Sequence, residues 1–287
     1  MPELPEVETV RLQLLSKIRG KTFKSVTIYH PKTVNYDDRF ALKLRGKVVK
    51  HIDRIGKLLI FSFRDESDLF LLAHLKMTGR FFLVDKTEIT GGGHSPTTKS
   101  MEKLPNKHTR VGFVFTDNTK LFFNDMRLFG FTKLVDSAAV ELAKAKFGPE
   151  PLAPDFNAKD LYQTLQKRRT AIKAALLNQS LIAGLGNIYV DEVLFRSGIR
   201  PTRRADHLTK REVGLLVKHS REILEKAISV GGTTFQHFLD TGGENGNYKD
   251  YLLVFGKENT PCPKCGTIIK KIRCAGRGTQ FCPHCQT

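Results

Sequence analysis

Cys262-Pro-Lys-Cys265 and, after sixteen intervening residues, Cys282-Pro-His-Cys285 decide the fold of the C-terminal part of this chain. Each Cys-x-x-Cys pair presents two thiolates on one tight turn, and two such turns complete a tetrahedral site for one structural zinc ion. Cys274 lies between the pairs at no ligand spacing, so we interpret it as a bystander thiol. All five cysteines fall within residues 262–285, which is typical of a metal site in a reducing compartment rather than of a disulfide framework.

The charge around these cysteines is positive throughout. No acidic residue follows Glu258, whereas the same stretch holds several basic residues: Lys264, Lys270, Lys271, Arg273 and Arg277. A zinc-stabilised hairpin with only positive charge suits contact with nucleic-acid phosphates. The alternative is a zinc ribbon that merely caps a domain.

The whole chain also has an excess of basic over acidic residues. Its 287 residues include 47 Lys and Arg against 29 Asp and Glu, a net charge of +18. Such an excess repels itself in a folded protein, so it favours a polyanionic partner, although a role in solubility is the alternative. Hydrophobic residues make up 40% of the chain, which argues against disorder. No apolar run approaches the roughly 18 residues of a membrane span, so we expect no membrane partner.

Residues 23–135 contain short β-rich runs that are separated by turn signals such as Asp117-Asn118. Short β-rich runs predict eight strands: Phe23–His30, Val48–Ile55, Leu58–Phe63, Leu69–Leu75, Phe81–Val84, Val111–Thr116, Lys120–Phe123 and Phe131–Val135. Eight short strands with little helix between them indicate an antiparallel sandwich or barrel. Residues 86–109 are rich in Gly, Thr and Lys and are expected to form a long exposed loop.

Helical periodicity appears on both sides of this β-rich region. Residues 5–18 predict one helix before it, and the prolines after it indicate a linker at 136–152. Leu161, Leu165, Ile172 and Leu176 then mark one further helix. Residues 187–196 predict a shorter helix, and a capping box from Thr209 to Glu212 begins a long one that ends near Gly231.

Pro2, Glu3 and Glu6 place reactive groups at the start of the first predicted helix. If Met1 is removed, Pro2 carries a secondary amine, and a neutral amine can attack a sugar C1′ to form an iminium, or Schiff base. The two carboxylates beside it can move protons. Two alternatives stay open here: both carboxylates can simply favour the helix N-terminus, and a retained Met1 leaves Pro2 as an amide that is not a nucleophile.

Three motifs resemble formamidopyrimidine-DNA glycosylase, a bacterial family that excises oxidised purines. They are Pro2-Glu-Leu-Pro-Glu-Val-Glu-Thr-Val10, Gln179-Ser-Leu-Ile-Ala-Gly-Leu-Gly-Asn187-Ile-Tyr-Val-Asp-Glu192 and Gly276-Arg-Gly-Thr-Gln-Phe-Cys-Pro-His-Cys-Gln286. They stand in the family's order and span essentially the whole chain.

With this resemblance we expect an α+β chain of four parts. Residues 1–135 would form a catalytic domain, an N-terminal helix plus an eight-stranded antiparallel β-sandwich, and residues 136–152 a linker. Residues 153–250 would form a helix–two-turn–helix DNA-binding domain with a loop that caps the lesion, and residues 251–287 a zinc finger built on a β-hairpin.

The resemblance also implies roles for residues of the catalytic domain. Pro2 would displace the damaged base and hold the sugar as a Schiff base, and Glu3 would act as the general acid/base that helps to open the sugar ring. Lys57, in Gly56-Lys57-Leu58, matches a lysine near the lesion phosphates. Glu6 matches a carboxylate near the damaged base, and residues 231–250 match the loop that closes over that base.

Three further side chains, Met77, Arg127 and Phe129, match the set that fills the gap left by the flipped base. Extruding a base costs a few kcal/mol, and apolar wedges together with an arginine facing the orphaned base offset that cost. From the residues alone, Met77 and Phe129 fit core packing equally well, and Arg127 fits a solvated charge at a strand end.

Phosphate contacts are implied for Asn187, in the helix–two-turn–helix element, and for Arg277, on the zinc hairpin. Gly184 and Gly186 would let the backbone approach DNA beside the start of a helix. Asn187 could instead only cap that helix. His74 fits either a phosphate contact or a hydrogen-bonded strand histidine.

The resemblance therefore implies a bifunctional glycosylase and abasic-site lyase of base-excision repair. It would remove 8-oxoguanine and formamidopyrimidines from double-stranded DNA, cut the strand by β,δ-elimination, and carry one structural Zn²⁺. We expect a monomer in the cytoplasm, associated with the nucleoid.

Two alternative functions stay open. One is an endonuclease VIII-type enzyme for oxidised pyrimidines, whose opening carries glycine where Leu4 stands here. The other is a non-catalytic, zinc-dependent protein that binds damaged DNA. The chain also departs from the family where Leu128 replaces the second arginine of Arg-Arg-Phe-Gly, and where Gly246-Asn247-Tyr248 replaces a Gly-Tyr-Phe stretch.

Overall fold

The computed structural model describes residues 1–85, 88–93, 104–233 and 247–287. The chain divides into two compact units: unit 1 comprises residues 1–145 and 230–247, and unit 2 comprises residues 146–229 and 248–287. Most of the loop expected at 231–250 lies outside the described residues. No helix in the described part of the chain is long and apolar enough to cross a membrane.

Unit 1 consists of one long helix and two antiparallel sheets. Its helices are α1 (Leu4–Ile18), α2 (Phe40–Leu44) and α3 (Ser137–Lys144). Its strands are β1 (Phe23–Ile28), β2 (Val49–Ile55), β3 (Leu58–Phe63), β4 (Phe70–His74), β5 (Gly79–Asp85), β6 (Glu88–Gly93), β7 (Thr109–Phe115), β8 (Lys120–Asp125) and β9 (Phe131–Val135). The sheet orders are β1-β7-β8-β5-β6 and β2-β3-β4-β9, and both sheets are open.

The two sheets share one apolar core. The ring of Phe23 on β1 lies 6.0 Å from that of Phe63 on β3, and the ring of Phe61 on β3 lies 6.2 Å from that of Phe81 on β5. The inward side chains of α1, led by Val7 and Val10, pack into the same core. The predicted sandwich is thus confirmed, and α1 packs against its core.

Two features of unit 1 differ from the sequence-based expectation. All eight predicted strands are present, but residues 88–93, expected in a loop, form a ninth strand that pairs with β5. Gly91, Gly92 and Gly93 have low strand propensity, yet their backbone hydrogen bonds to β5 suffice for pairing. The predicted linker likewise contains α3, which the Asp136 side chain caps by accepting the amide of Ala139 at 2.7 Å.

Unit 2 consists of four helices and a β-hairpin. Its elements are α4 (Ala158–Leu165), α5 (Ile172–Leu177), α6 (Asn187–Arg196), α7 (Lys210–Ser229), β10 (Lys270–Cys274) and β11 (Arg277–Phe281). The capping box predicted for α7 is confirmed: Glu212 accepts the amide of Thr209 at 2.8 Å, and the Thr209 hydroxyl accepts the amide of Glu212 at 3.3 Å.

The single helix predicted through Leu161 and Leu176 is wrong, because α4 and α5 are separate. The chain between them leaves the helical path to pair with another segment. Ala171 forms an isolated bridge with Arg204, and the amide of Ile172 donates to the carbonyl of Arg203 at 2.7 Å. Helical periodicity does not reveal this long-range pairing, because the apolar positions of α4 and α5 have the same helical phase.

Candidate functional site

Glu3 and Glu6 begin α1 with reciprocal hydrogen bonds. The carboxylate of Glu6 accepts the amide of Glu3 at 2.8 Å, and the carboxylate of Glu3 accepts the amide of Glu6. Both side chains are buried, at 3% and 5% exposure, and Pro2 just before them is buried as well. The capping box confirms the interpretation of these residues as helix-starting groups. It also fixes two desolvated carboxylates beside Pro2, an arrangement suited to proton transfer.

A charged network fastens α1 to β2. Glu8 accepts hydrogen bonds from Arg11 and Arg54, the closest at 2.6 and 2.8 Å, and Arg11 also donates to the carbonyl of Ile52. Burial acts to raise the pKa of Glu8, but the two guanidinium groups outweigh it and hold that pKa below its ordinary value. The helix that follows Pro2 is therefore held against β2 by these hydrogen bonds.

Lys57 lies in the two-residue turn between β2 and β3. Gly56 precedes it with a φ of +55°, a conformation that favours glycine in hairpin turns. The Lys57 side chain is buried. Its neighbour Leu58 pairs with His74 across the β3–β4 ladder, so the lysine and the histidine meet at the same end of this sheet.

His74 is held as a neutral imidazole. Burial lowers its pKa to about 3, with further lowering by the ammonium groups of Lys76 and Lys57. Its Nδ1 accepts the amide of Lys76 at 3.0 Å, which leaves Nε2 as the protonated nitrogen. Part of the strand-histidine interpretation is therefore met, while a neutral N–H donor for a phosphate oxygen is retained.

Met77, Arg127 and Phe129 come together on the surface of unit 1. A guanidinium nitrogen of Arg127 donates to the Met77 sulfur at 3.1 Å, and the guanidinium carbon lies 4.6 Å from the centre of the Phe129 ring. Met77 and Phe129 are 39% and 49% exposed. The core-packing alternative for both side chains is therefore wrong, and exposed apolar groups assembled in one place call for a partner.

Asp125 shapes the loop that presents this cluster, a role that the sequence did not reveal. Its buried carboxylate accepts the amide of Gly130 at 2.6 Å and that of Arg127 at 3.2 Å, and it binds the hydroxyl of Thr78. Leu128 adopts a φ of +56° in the same loop. The position of Asp125 at the end of β8 was the available signal, but its targets include backbone amides that no sequence pattern identifies.

Asn187 and Arg277 belong to unit 2. Gly186 is the N-cap of α6 and Asn187 its first residue, so the capping alternative for Asn187 is wrong. The Asn187 amide instead donates to the carbonyl of Gly278 at 3.0 Å. Arg277 follows the Ala275-Gly276 turn of the hairpin and is exposed. The structure thus joins the helix start to the hairpin segment that carries Arg277.

A buried ion pair reinforces this junction and was also missed from the sequence. Lys173 Nζ lies 2.6 Å from Asp191 Oδ1, with both side chains fully buried. Lys173 also donates to the carbonyl of Gly278 at 3.3 Å, and Asp191 accepts the amide of Gln280 at 3.0 Å. Burial raises the pKa of Asp191 to about 7, against the opposing effects of the Lys173 ammonium and the Gln280 amide.

The four paired cysteines form a site for one structural zinc ion. Their Sγ atoms all lie within 4.8 Å of one another, with separations such as 3.6 Å between Cys265 and Cys282. A tetrahedron of Zn–S bonds near 2.3 Å requires sulfur separations of about 3.8 Å, so the cluster fits zinc. The fifth cysteine, Cys274, is buried against the carbonyl of Pro201.

Three family models match the chain in sequence order. They are the formamidopyrimidine-DNA glycosylase N-terminal domain over residues 1–132, the formamidopyrimidine-DNA glycosylase H2TH domain over residues 147–238, and the zinc finger found in FPG and IleRS over residues 260–287. Formamidopyrimidine-DNA glycosylase of Lactobacillus acidophilus is 41% identical over 100% of this chain and 99% of its own. The chain belongs to the formamidopyrimidine-DNA glycosylase family.

Other relatives of this family agree with that assignment. Formamidopyrimidine-DNA glycosylase of Bacillus subtilis is 39% identical over 100% of this chain and 99% of its own. A solved complex between Lactococcus lactis Fpg and DNA containing an abasic site is 37% identical, covers 99% of both chains and superposes with a TM-score of 0.87. A complex of the same bacterial protein with Fapy-dG containing DNA has a TM-score of 0.86.

Membership in the formamidopyrimidine-DNA glycosylase family confirms the predicted architecture of helix, sheets, helix–two-turn–helix domain and zinc finger. Within the helix–two-turn–helix domain, Gln179 lies in the turns before α6. The Gln179 side chain donates to the carbonyls of Leu177 and Leu185 and accepts the amide of Gly184 at 2.9 Å. One amide side chain therefore shapes the loop that precedes Asn187.

Proposed function

We propose that this chain is a bifunctional DNA glycosylase and abasic-site lyase that removes oxidised purines from double-stranded DNA in base-excision repair. The observation that carries the proposal is the buried Glu3–Glu6 capping box directly after Pro2. The names of the curated relatives support formamidopyrimidines as substrates, and the Lactococcus lactis complexes support an abasic site as the next species. We extend the substrates to 8-oxoguanine.

In the proposed reaction, removal of Met1 leaves Pro2 with a secondary amine. Its nitrogen lone pair attacks C1′, the glycosidic bond breaks, and the base departs with the proton that the attacking amine gives up. Glu3 donates a proton to the sugar ring oxygen, so that the ring opens to an iminium, or Schiff base. The iminium makes the C2′ proton acidic, and its loss breaks the C3′–O bond. A second elimination, with loss of the C4′ proton, breaks the C5′–O bond and completes β,δ-elimination.

We propose that the other site residues contact the DNA. Met77, Arg127 and Phe129 would occupy the space that the extruded base leaves, since apolar wedges offset the cost of unstacking. Lys57 and His74 would contact phosphates near the lesion, His74 through Nε2–H, and Glu6 would lie near the damaged base. In unit 2, Asn187 and Arg277 would each bind a phosphate.

The partner and location follow from this assignment. Repair of single lesions needs no second copy of the chain, so we propose a monomer on double-stranded DNA. The bacterial relatives support a cytoplasmic location, which we extend to the nucleoid. We also propose a catalytic domain at 1–135, a linker at 136–152, a DNA-binding domain at 153–250 and a zinc finger at 251–287.

The test is borohydride trapping on a duplex with one 8-oxoguanine opposite cytosine, followed by peptide mass analysis. A covalent adduct on a peptide that begins at Pro2 is the expected result. No adduct on protein confirmed to begin at Pro2 would refute the oxidised-purine substrate. Trapping only on an oxidised pyrimidine would then indicate the endonuclease VIII type, and binding without trapping on any lesion would indicate a non-catalytic damage binder.

A further inference from the structure

Glu6 joins two segments of unit 1 that lie 227 positions apart in the sequence. Its Oε2 accepts the amide of Glu3 at 2.8 Å, and its Oε1 accepts the amide of Thr233 at 2.7 Å. Hydrogen bonds from backbone amides to a carboxylate are about twice as strong as bonds between neutral groups. One buried side chain therefore holds the backbone at the N-terminus against the backbone that follows α7.

Gly232 shows how closely that second segment fits around Glu6. Its φ is +87°, and an added Cβ would lie 3.0 Å from Oε1 and 3.1 Å from Cγ of Glu6. Such a φ is rarely adopted by residues with a side chain, and such distances are shorter than ordinary van der Waals contacts. Glycine at this position thus lets the backbone approach the carboxylate.

We propose that Glu6 is a positioning residue that orients the Pro2 nucleophile through these two amides. The inference rests on the proposed function, because it needs Pro2 to be the reacting group. Pro2 is joined directly to Glu3, so a Glu6 carboxylate fixed at both oxygens restricts the Pro2–Glu3 peptide. A reacting group held in the correct direction gains a large rate advantage over a mobile one.

This role is distinguishable from contact with the damaged base. A base contact acts only while a base is present, whereas positioning of Pro2 acts also on an abasic site, which has no base. The two roles therefore predict different rates on the two substrates. Loss of a base contact would slow trapping only on the duplex with 8-oxoguanine, whereas loss of positioning would slow trapping on both duplexes.

The experiment measures single-turnover borohydride trapping of Glu6→Gln on both duplexes with enzyme in excess. The glutamine oxygen can still accept one amide, but its NH₂ group cannot accept the other. We expect trapping to slow by a similar factor, about 10- to 100-fold, on both duplexes, as loss of a hydrogen bond to a charged group would produce. Binding to a duplex with a tetrahydrofuran abasic analogue should stay within about twofold of wild type, since no phosphate contact is removed.

Gly232→Ala tests the same link with the carboxylate intact. Its Cβ would push against Glu6, so we expect slower trapping on both duplexes. Gly46→Ala is the matched control, because Gly46 has a φ of +81° but no atom within 4 Å of an added Cβ. It carries the same backbone strain without touching Glu6, and we expect wild-type trapping.

Three outcomes overturn one claim or another. If either Glu6→Gln or Gly232→Ala is trapped on the abasic duplex at the wild-type rate, the positioning role is overturned. An equal loss in Gly46→Ala also overturns it, since backbone strain alone would then explain the effect. Absence of trapping by the wild-type protein on both duplexes overturns the proposed function instead.

Discussion

Buried carboxylates occur in both units, and the partners of Glu3 and Glu6 in unit 1 differ from those of Asp191 in unit 2. In unit 1, backbone amides hold Glu3 and Glu6 at the start of α1. In unit 2, Asp191 faces the ammonium of Lys173 at 2.6 Å with both side chains fully buried. The Glu6 carboxylate accepts amides of its own segment and of Thr233, whereas Asp191 accepts the amide of Gln280 and also faces a buried ammonium. We infer that the first pair serves the reaction and that the second serves the fold.

The sharpest test of this comparison is Glu3→Gln. A glutamine oxygen can still accept the amide of Glu6, but the side chain no longer transfers a proton. We expect the excision rate to fall by about 10²- to 10⁴-fold, as loss of a general acid/base does. The free energy of unfolding should change by less than about 1 kcal/mol. Single-turnover excision and urea unfolding measure the two quantities, and a large loss of stability with normal excision would reverse the comparison.

Lys173→Met tests the buried ion pair of unit 2. It leaves Asp191 buried without its charged partner, and we expect a loss of about 3–5 kcal/mol in unfolding free energy. Adding Asp191→Leu removes the second charge and should restore most of that loss. Chemical denaturation checks both variants. If the double variant is as unstable as Lys173→Met alone, an unpaired buried charge is not the cause.

Phe129→Ala extends the comparison to exposed apolar groups. Because the ring is half exposed, its removal should change stability by no more than about 0.5 kcal/mol. Excision of 8-oxoguanine should slow about tenfold, since a wedge that offsets part of the unstacking cost is lost. Comparison of duplex with single-stranded substrate identifies the cause. An equal loss on single-stranded DNA would show that Phe129 acts elsewhere than in the base stack.

The smallest expected effect comes from Arg277→Ala. Loss of one phosphate contact should weaken binding similarly on all sequences and reduce the slope of log K against log salt by about 0.9. Titrations at several salt concentrations give the slope, with Lys218→Ala on the exposed face of α7 as the control. An unchanged slope in Arg277→Ala would remove this residue from the DNA interface.

The sequence alone predicted the local elements well. The eight strands, α1, α6 and the capping box of α7 all follow from apolar periodicity and cap residues, which act within a few positions of the chain. The zinc site follows from spacing for the same reason, since each Cys-x-x-Cys pair is set by one turn. The resemblance then suggested the roles that we propose for Pro2 and Glu3.

Only the tertiary structure decided the features that depend on distant partners. Ala171 leaves the helical path because Arg204 pairs with it, and β6 forms because β5 offers its open edge. Met77 and Phe129 could fit a core or a surface, and their exposure chose the surface. Asp125, Lys173 and the Thr233 amide on Glu6 stayed hidden, since sequence patterns describe neighbours in the chain, whereas these contacts join segments that meet only after folding.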